Sequence, residues 1–433
     1  MNLKARMAKE LKGGVFQVDL TTGGAVFHAD DKTVHTVLDC LRTRRNLTPE
    51  TLIDDGCQSS PIAPRLPRDG FKDELDSYLP LSHLLNKIID VAMESIPLSY
   101  LGGHGLRFHP FGKEVNGKYD ILKGLKPDCV GVFGEQLNQG DVFWENIEIS
   151  IECKRSVKEM IEQVAKYARC SLLNNLRRFF ALTMGFNFKS LEVYILLFHR
   201  SGLSASRPLG LKTEESFNGF VRHIIGILSI QGEALYGLDV TRTDTGEFCI
   251  DNRFYQLDRY LYLRGSLRGR GTAVYSLKGM HQCRSNHLFI TFVACGDSIP
   301  NLQSRPISYS EGVTALPNKV VVKLTYPIKG RSQEGPLFSA FFGQFGIGDI
   351  LGFYNCSSEE PHGSTAPFSR NAWYWNILDN KEQEDHHGPE ERGLQCLVLS
   401  AEGQSLIDLD ENGNRIPSPA DLLETILHAM IGE

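Results

Sequence analysis

Trp144 to Lys154 reads as a strand with two unlike faces, because polar and apolar side chains alternate without a break from Asn146 onward. Ile147, Ile149, Ile151 and Cys153 leave one face; Glu148, Ser150, Glu152 and Lys154 leave the other. Upstream, Asp128 to Phe133 is a short apolar strand, followed by a loop at 134–140. Downstream, Val157 to about Leu173 has helical spacing, with Ile161, Val164, Ala165, Ala168 and Leu172 as its core-facing stripe. A strand at Leu191 to Phe198 and a helix around Phe217 to Leu228 extend the pattern to about Leu235.

The remaining elements are read in the same way. A helix is expected at Lys32 to Arg42 and another at Leu81 to Met93, separated by the proline-rich joint Pro61-Ile-Ala-Pro64-Arg-Leu-Pro67. Beyond Leu235 the chain turns strand-rich, with strands expected at Phe248 to Ile250, Tyr260 to Leu263, Leu288 to Ala294, Val320 to Thr325 and Leu397 to Ser400. Asp379 to Arg392 reads as a charged loop, its His386-His387 solvated rather than metal-binding, and Pro419 to Ile431 as a terminal helix.

With 433 residues the chain exceeds a single ordinary core. We expect three parts: an extension and linker at 1–70, a first domain at 71–235 and a second at 236–433. A net charge of −6 excludes a global basic field, so contact with nucleic acid needs a local patch. No apolar run reaches the ~18 residues that span a bilayer, and no membrane partner is expected. The ten cysteines form no Cys-x-x-Cys pair, which points to reduced thiols and an intracellular, cytoplasmic or nuclear, location.

The chemistry concentrates at Pro127-Asp128, Glu152-Cys153-Lys154 and Gln163-x-x-x-Tyr167. Glu152 and Lys154 are two apart on one strand, so they leave the same face about 7 Å apart. An antiparallel return sets Asp128 opposite them. Hard carboxylate oxygens suit Mg²⁺, which lowers the pKa of a bound water, and Lys154 positions or helps activate that water. From Lys154 to Arg178 seven residues are basic and two acidic. Lys166, Arg169, Arg177 and Arg178 are the candidate DNA contacts in this local positive stretch. The acidic-x-lysine triplet also occurs at Glu10, Asp30 and Asp379, but only the Glu152 copy has a strand pattern around it. The competing reading is a solvated strand face with Glu152 and Lys154 as a surface ion pair.

These residues resemble the PD-(D/E)xK nuclease superfamily, with Gln163 and Tyr167 similar to the helix motif of its RecB-type branch. The resemblance implies that Asp128 and Glu152 bind the metal, that Lys154 assists the water, and that Gln163 and Tyr167 shape the DNA-facing side.

A second constellation runs Gly269-Arg-Gly271-Thr272, then Val320-Val-Val-Lys323, then Arg331-x-x-Glu334. A glycine turn, a strand lysine and a following glutamate, in that order, form the nucleotide-holding half of a protein kinase. Together with Arg177-Arg178-Phe179, His199-Arg200-Ser201-Gly202 and the stretch from Leu397 to Gly432, they resemble the fungal-type protein kinase family. The resemblance implies an α/β (α+β) chain with a PD-(D/E)xK restriction-endonuclease-like domain and an antiparallel-sheet kinase small lobe. It also implies ATP and Mg²⁺ as cofactors, with Gly269, Gly271, Thr272, Lys323 and Glu334 at the nucleotide, and a protein substrate phosphorylated on serine or threonine.

Two departures from the family stand out. Fifty-one residues separate Gly271 from Lys323, so an insertion is expected to loop out. No His-Arg-Asp and no Asp-Phe-Gly occur, so the chain is expected to stop short of the large lobe and not to transfer phosphate alone. A Mg²⁺-dependent nuclease acting on DNA, and an inactive binding or regulatory module, stay open as alternatives.

Overall fold

The computed structural model describes residues 7, 9–21, 27, 29–54, 65–101, 105–116, 124–133, 142–174, 178–230, 247–263, 266–280, 307–310, 312–330, 350–355, 373–374, 390–400, 408–409 and 415–416. It is a mixed α+β chain with two principal sheets and two compact units. The first unit comprises Met1–Asp239, Gly265–Gly269 and Ser358–Arg392; the second comprises Val240–Arg264, Arg270–Ser357 and Gly393–Glu433.

In the first unit the elements are β1 (Val15–Gln17), α1 (Asp31–Arg45), α2 (Tyr78–Ser95), β2 (Leu106–Pro110), β3 (Cys129–Phe133), β4 (Ile149–Lys154), α3 (Val157–Asn174), β5 (Ala181–Asn187), β6 (Glu192–His199), β7 (Gly202–Ala205), β8 (Leu209–Gly210) and α4 (Glu214–Leu228). The sheet order is β1-β7-β6-β5-β4-β3-β2, with Trp373–Tyr374 added beside β1 and β8 beside β6. From β2 to β4 the strands are antiparallel; α3 then carries the chain over so that β5 runs parallel to β4. A parallel neighbour needs such a crossover, since a hairpin can join only antiparallel strands.

Helices cover both faces. Ile149, Ile151 and Cys153 belong to one apolar core with Val34, Val37, Leu38 and Leu41 of α1, Leu84, Leu85, Ile88 and Ile89 of α2, and Phe217, Phe220 and Ile224 of α4. On the opposite face α3 packs against β4 and β5. There Met160 lies so close to Gly185 that a Cβ would sit 2.3 Å from its sulfur. Residue by residue, β4 is therefore buried on both faces, unlike the half-solvated strand its alternation predicts.

Three boundaries differ from the sequence pattern. The helix expected at Lys32 begins at Asp31, where the Asp30 side chain accepts from the Thr33 amide at 2.9 Å, and runs to Arg45. It ends at Asn46, whose φ of 47° is a left-handed stop. The alternating stretch is a strand only from Ile149, because Trp144–Asn146 form a 3₁₀ turn. The Trp144 ring stacks on Tyr167 (centroids 5.6 Å apart), which draws the chain out of the ladder.

The second unit contains β9 (Glu247–Ile250), β10 (Arg253–Leu263), β11 (Ala273–Gly279), β12 (Ser308–Tyr309), β13 (Lys319–Thr325), β14 (Ile350–Asn355) and β15 (Gln395–Leu399). Their order is β9-β10-β11-β13-β15-β14-β12, antiparallel throughout. The segment between Gly271 and Lys323 is not merely looped out, since β12 within it pairs with β14 at the far edge of the sheet. The strand expected at Leu288, the helix at Pro419 and His386-His387 lie outside the described residues. Among the described residues no helix is long and apolar enough to cross a membrane.

Candidate functional site

Asp128 sits at the mouth of β3, and its backbone N–H joins Ile151 of β4, so the antiparallel return brings it beside Glu152 and Lys154. Both carboxylates are buried, Asp128 at 6% and Glu152 at 3% exposure, which removes the solvated-face reading. Asp128 Oδ2 accepts from the Cys153 N–H at 2.7 Å, and Oδ1 accepts from the Tyr78 hydroxyl. Glu152 Oε1 lies 3.0 Å from Lys154 Nζ, and Oε2 lies 2.7 Å from the Tyr167 hydroxyl.

The helix motif closes the same cluster. Gln163 Nε2 donates to the Tyr167 oxygen at 3.0 Å, and Lys166 Nζ donates to Gln163 Oε1 at 2.6 Å. Tyr167 also lies 2.8 Å from the Lys126 carbonyl and is fully buried. One turn pattern, i and i+4 on α3, therefore anchors a carboxylate on β4. Asp128, Glu152, Lys154, Gln163 and Tyr167 thus form one connected network.

Sequence reasoning missed two members. Glu74 Oε2 accepts from Lys154 Nζ at 2.8 Å, and Glu74 Oε1 lies 2.9 Å from the Tyr78 hydroxyl. The available signal was the run Asp73-Glu74-Leu75-Asp76, acidic residues gathered at the start of an amphipathic helix.

The electrostatics follow from burial. Loss of solvent pushes Asp128 up to about 6, against the hydrogen bonds from Tyr78 and the Cys153 amide. Burial and the Asp128 charge push Glu152 up to about 7, against Lys154 and Tyr167. Burial would lower Lys154, but the Glu74 hydrogen bond and the Glu152 charge outweigh it, so the amine is held as an ammonium. Among the described residues no group of three or more His, Cys, Asp or Glu is spaced as a metal cage.

The expected basic face does not form at two of its positions. Arg169 is 5% exposed, with Nη1 3.7 Å from Glu10 Oε1. Arg178 is 4% exposed and donates to Glu148 Oε2 at 2.6 Å. Each guanidinium is sequestered beside a carboxylate, because α3 and the segment after it are covered on nearly all sides. Lys166 is half-buried on Gln163, and Arg177 lies outside the described residues.

In the second unit Val274 of β11 is the cross-strand partner of Lys323 on β13. One step further, the Thr272 and Thr325 hydroxyls are 3.3 Å apart, and the Tyr326 N–H donates to the Arg270 carbonyl at 2.7 Å. Gly271, Thr272 and half-buried Lys323 therefore meet at one end of the sheet. Gly269 groups with the first unit, its N–H donating to the Arg200 carbonyl at 2.9 Å. Glu334 lies outside the described residues.

No curated protein and no solved structure gives a match. The family model described as fungal protein kinase matches residues 127–290, from the proline before Asp128 past the glycine turn. Through that segment, which holds the carboxylate–lysine cluster and Gly269 to Thr272, the chain is similar to the fungal protein kinase family.

Proposed function

We propose that this chain holds ATP with Mg²⁺ through its second unit, in the service of the family's phosphorylation of serine or threonine on protein substrates. The observation that best supports this is the pairing of β11 with β13. It sets Gly271 and Lys323 at one end of an antiparallel sheet, with Thr272, Val274, Lys323 and Thr325 on one face. In a kinase small lobe the glycine backbone covers the phosphates and a strand lysine grips them.

The residues present suit a triphosphate. Gly271 has φ of 50°, in the left-handed region that favours glycine. Lys323 supplies the cation, and bound Mg²⁺ would neutralise phosphate charge. Phosphoryl transfer also requires an aspartate base, and no His-Arg-Asp occurs in this sequence, so the activity proposed for the chain itself is nucleotide binding. Calorimetric titration of MgATP into the full chain tests it. Saturable binding that weakens about tenfold or more in Lys323→Ala is expected; no heat of binding to the wild type ends the reading.

A second reading is favoured by the buried cluster: the first unit is PD-(D/E)xK nuclease-like and acts on DNA phosphodiesters. Its donors are hard oxygens, and Mg²⁺ is commonly held by one or two carboxylates, with waters and substrate phosphate completing the shell. Asp128 and Glu152 would hold it, since burial raises both and the Asp128 charge raises Glu152 further, a cost that a dication relieves. The metal would supply an activated water and charge stabilisation. Lys154, held as an ammonium, orients a water or phosphate oxygen by donating rather than by taking a proton. Tyr167 fixes Glu152, and Gln163 fixes Tyr167. Cleavage of plasmid or single-stranded DNA that needs Mg²⁺ or Mn²⁺ and vanishes in Lys154→Ala is expected; intact DNA across a range of both metals rules the reading out.

A further inference from the structure

Tyr78 is the first residue of α2 and is 8% exposed. Its hydroxyl lies 2.9 Å from Glu74 Oε1 and also bonds Asp128 Oδ1. Glu74 and Tyr78 are four residues apart, and Glu74 already has helical φ and ψ of −60° and −47°, so both side chains leave one side of a helical turn. Through Glu74 Oε2 the same turn holds Lys154 Nζ at 2.8 Å, and Lys154 reaches Glu152 Oε1 at 3.0 Å. A single turn therefore fixes Asp128 and Lys154 directly and Glu152 at one remove. Neither Glu74 nor Tyr78 belongs to the sheet that carries Glu152 and Lys154.

A phenol has one proton to donate, so Tyr78 gives it to one carboxylate at a time and leaves the other facing an oxygen lone pair. That contact keeps the two carboxylates at a set separation without neutralising either. Phe in place of Tyr78 fills the same space and touches neither oxygen.

We propose that Glu74 and Tyr78 are positioning residues for a divalent cation at Asp128 and Glu152. Tyr78 sets the angle of the Asp128 carboxylate, and Glu74 draws the Lys154 ammonium aside from it. This rests on the nuclease-like reading of the first unit. Residues that orient metal ligands without binding the metal typically cost ten- to a hundredfold in affinity when removed.

The experiment is calorimetric titration of Mn²⁺ into the full chain, its Tyr78→Phe variant and its Glu74→Gln variant, with the thermal midpoint of each measured in EDTA. We expect the wild type to bind Mn²⁺ and Tyr78→Phe to bind it about tenfold or more weakly. The EDTA midpoint of Tyr78→Phe should stay close to that of the wild type, which a loosened fold would not allow. Equal affinities in wild type and Tyr78→Phe overturn the proposal and leave the nuclease-like reading standing. A wild type that takes no Mn²⁺ overturns that reading and the proposal with it. Should Tyr78→Phe fail to fold, Glu74→Gln decides, because unchanged affinity there equally overturns the assignment.

Discussion

The Tyr167 hydroxyl on α3 lies 2.7 Å from Glu152 Oε2 on β4, and this contact ties a helix to the strand it covers at the most polar point of their interface. The Tyr167 oxygen also accepts a hydrogen bond from Gln163 Nε2 at 3.0 Å, and its ring stacks on Trp144. A hydrogen bond to an ionisable, buried acceptor contributes about 1.5–3 kcal/mol. Tyr167→Phe should therefore lower unfolding free energy by about 2 kcal/mol in urea at neutral pH. A change within experimental error would mean that Glu152 is held by Lys154 alone.

The acid pair gives the cation-free first unit a pH dependence with a definite sign. Asp128 moves from 3.8 up to about 6 and Glu152 from 4.5 up to about 7, so the folded form binds more protons than the unfolded one between about pH 4 and 7. Such stabilisation is complete below the unfolded values and is lost as pH rises through the folded ones. The thermal midpoint in EDTA should fall from pH 5 to pH 8, and Glu152→Gln should flatten the upper part of that fall. A Glu152→Gln curve parallel to the wild type would show that Glu152 does not titrate in this window.

Gly202 turns β6 into β7 with φ of 146°, and a Cβ there would lie 2.1 Å from the Gly14 carbonyl oxygen. The backbone on both sides is fixed, since the Leu203 N–H donates to that same carbonyl at 2.7 Å. Gly202→Ala should cost about 2–4 kcal/mol from combined strain and overpacking. Chemical denaturation measures it; a loss below about 0.5 kcal/mol, the usual scale of harmless surface changes, would contradict this packing.

Arg178 is expected to matter for folding rather than for DNA. Its guanidinium is buried against Glu148 and the Ile147 carbonyl. Removing one member of a buried ion pair costs about 3–5 kcal/mol, because the partner is left uncompensated. Arg178→Ala should show that loss in its denaturation midpoint. Unaltered stability combined with weaker DNA binding would instead return Arg178 to the surface role its sequence context suggests.

Much of the first unit was legible because periodicity is local. The stripe in α3 and the order strand, strand, helix, strand follow from side-chain spacing alone, and so does the strand carrying Lys323. The length of β4 was not: Trp144 falls in the stretch read as a strand but leaves the ladder to stack on Tyr167, a contact with a residue more than twenty positions away.

The sequence by itself determined which residue types stand two apart on a strand and four apart on a helix, and so named Asp128, Glu152, Lys154, Gln163 and Tyr167. Only the tertiary structure decided that β4 is covered on both faces, which turns a solvated ion pair into two carboxylates with raised pKa. It likewise brought Tyr78 of α2 and Glu74 of the turn before it to them, and sequestered Arg169 and Arg178. Charge and polarity are written residue by residue, whereas desolvation depends on what the rest of the chain places overhead.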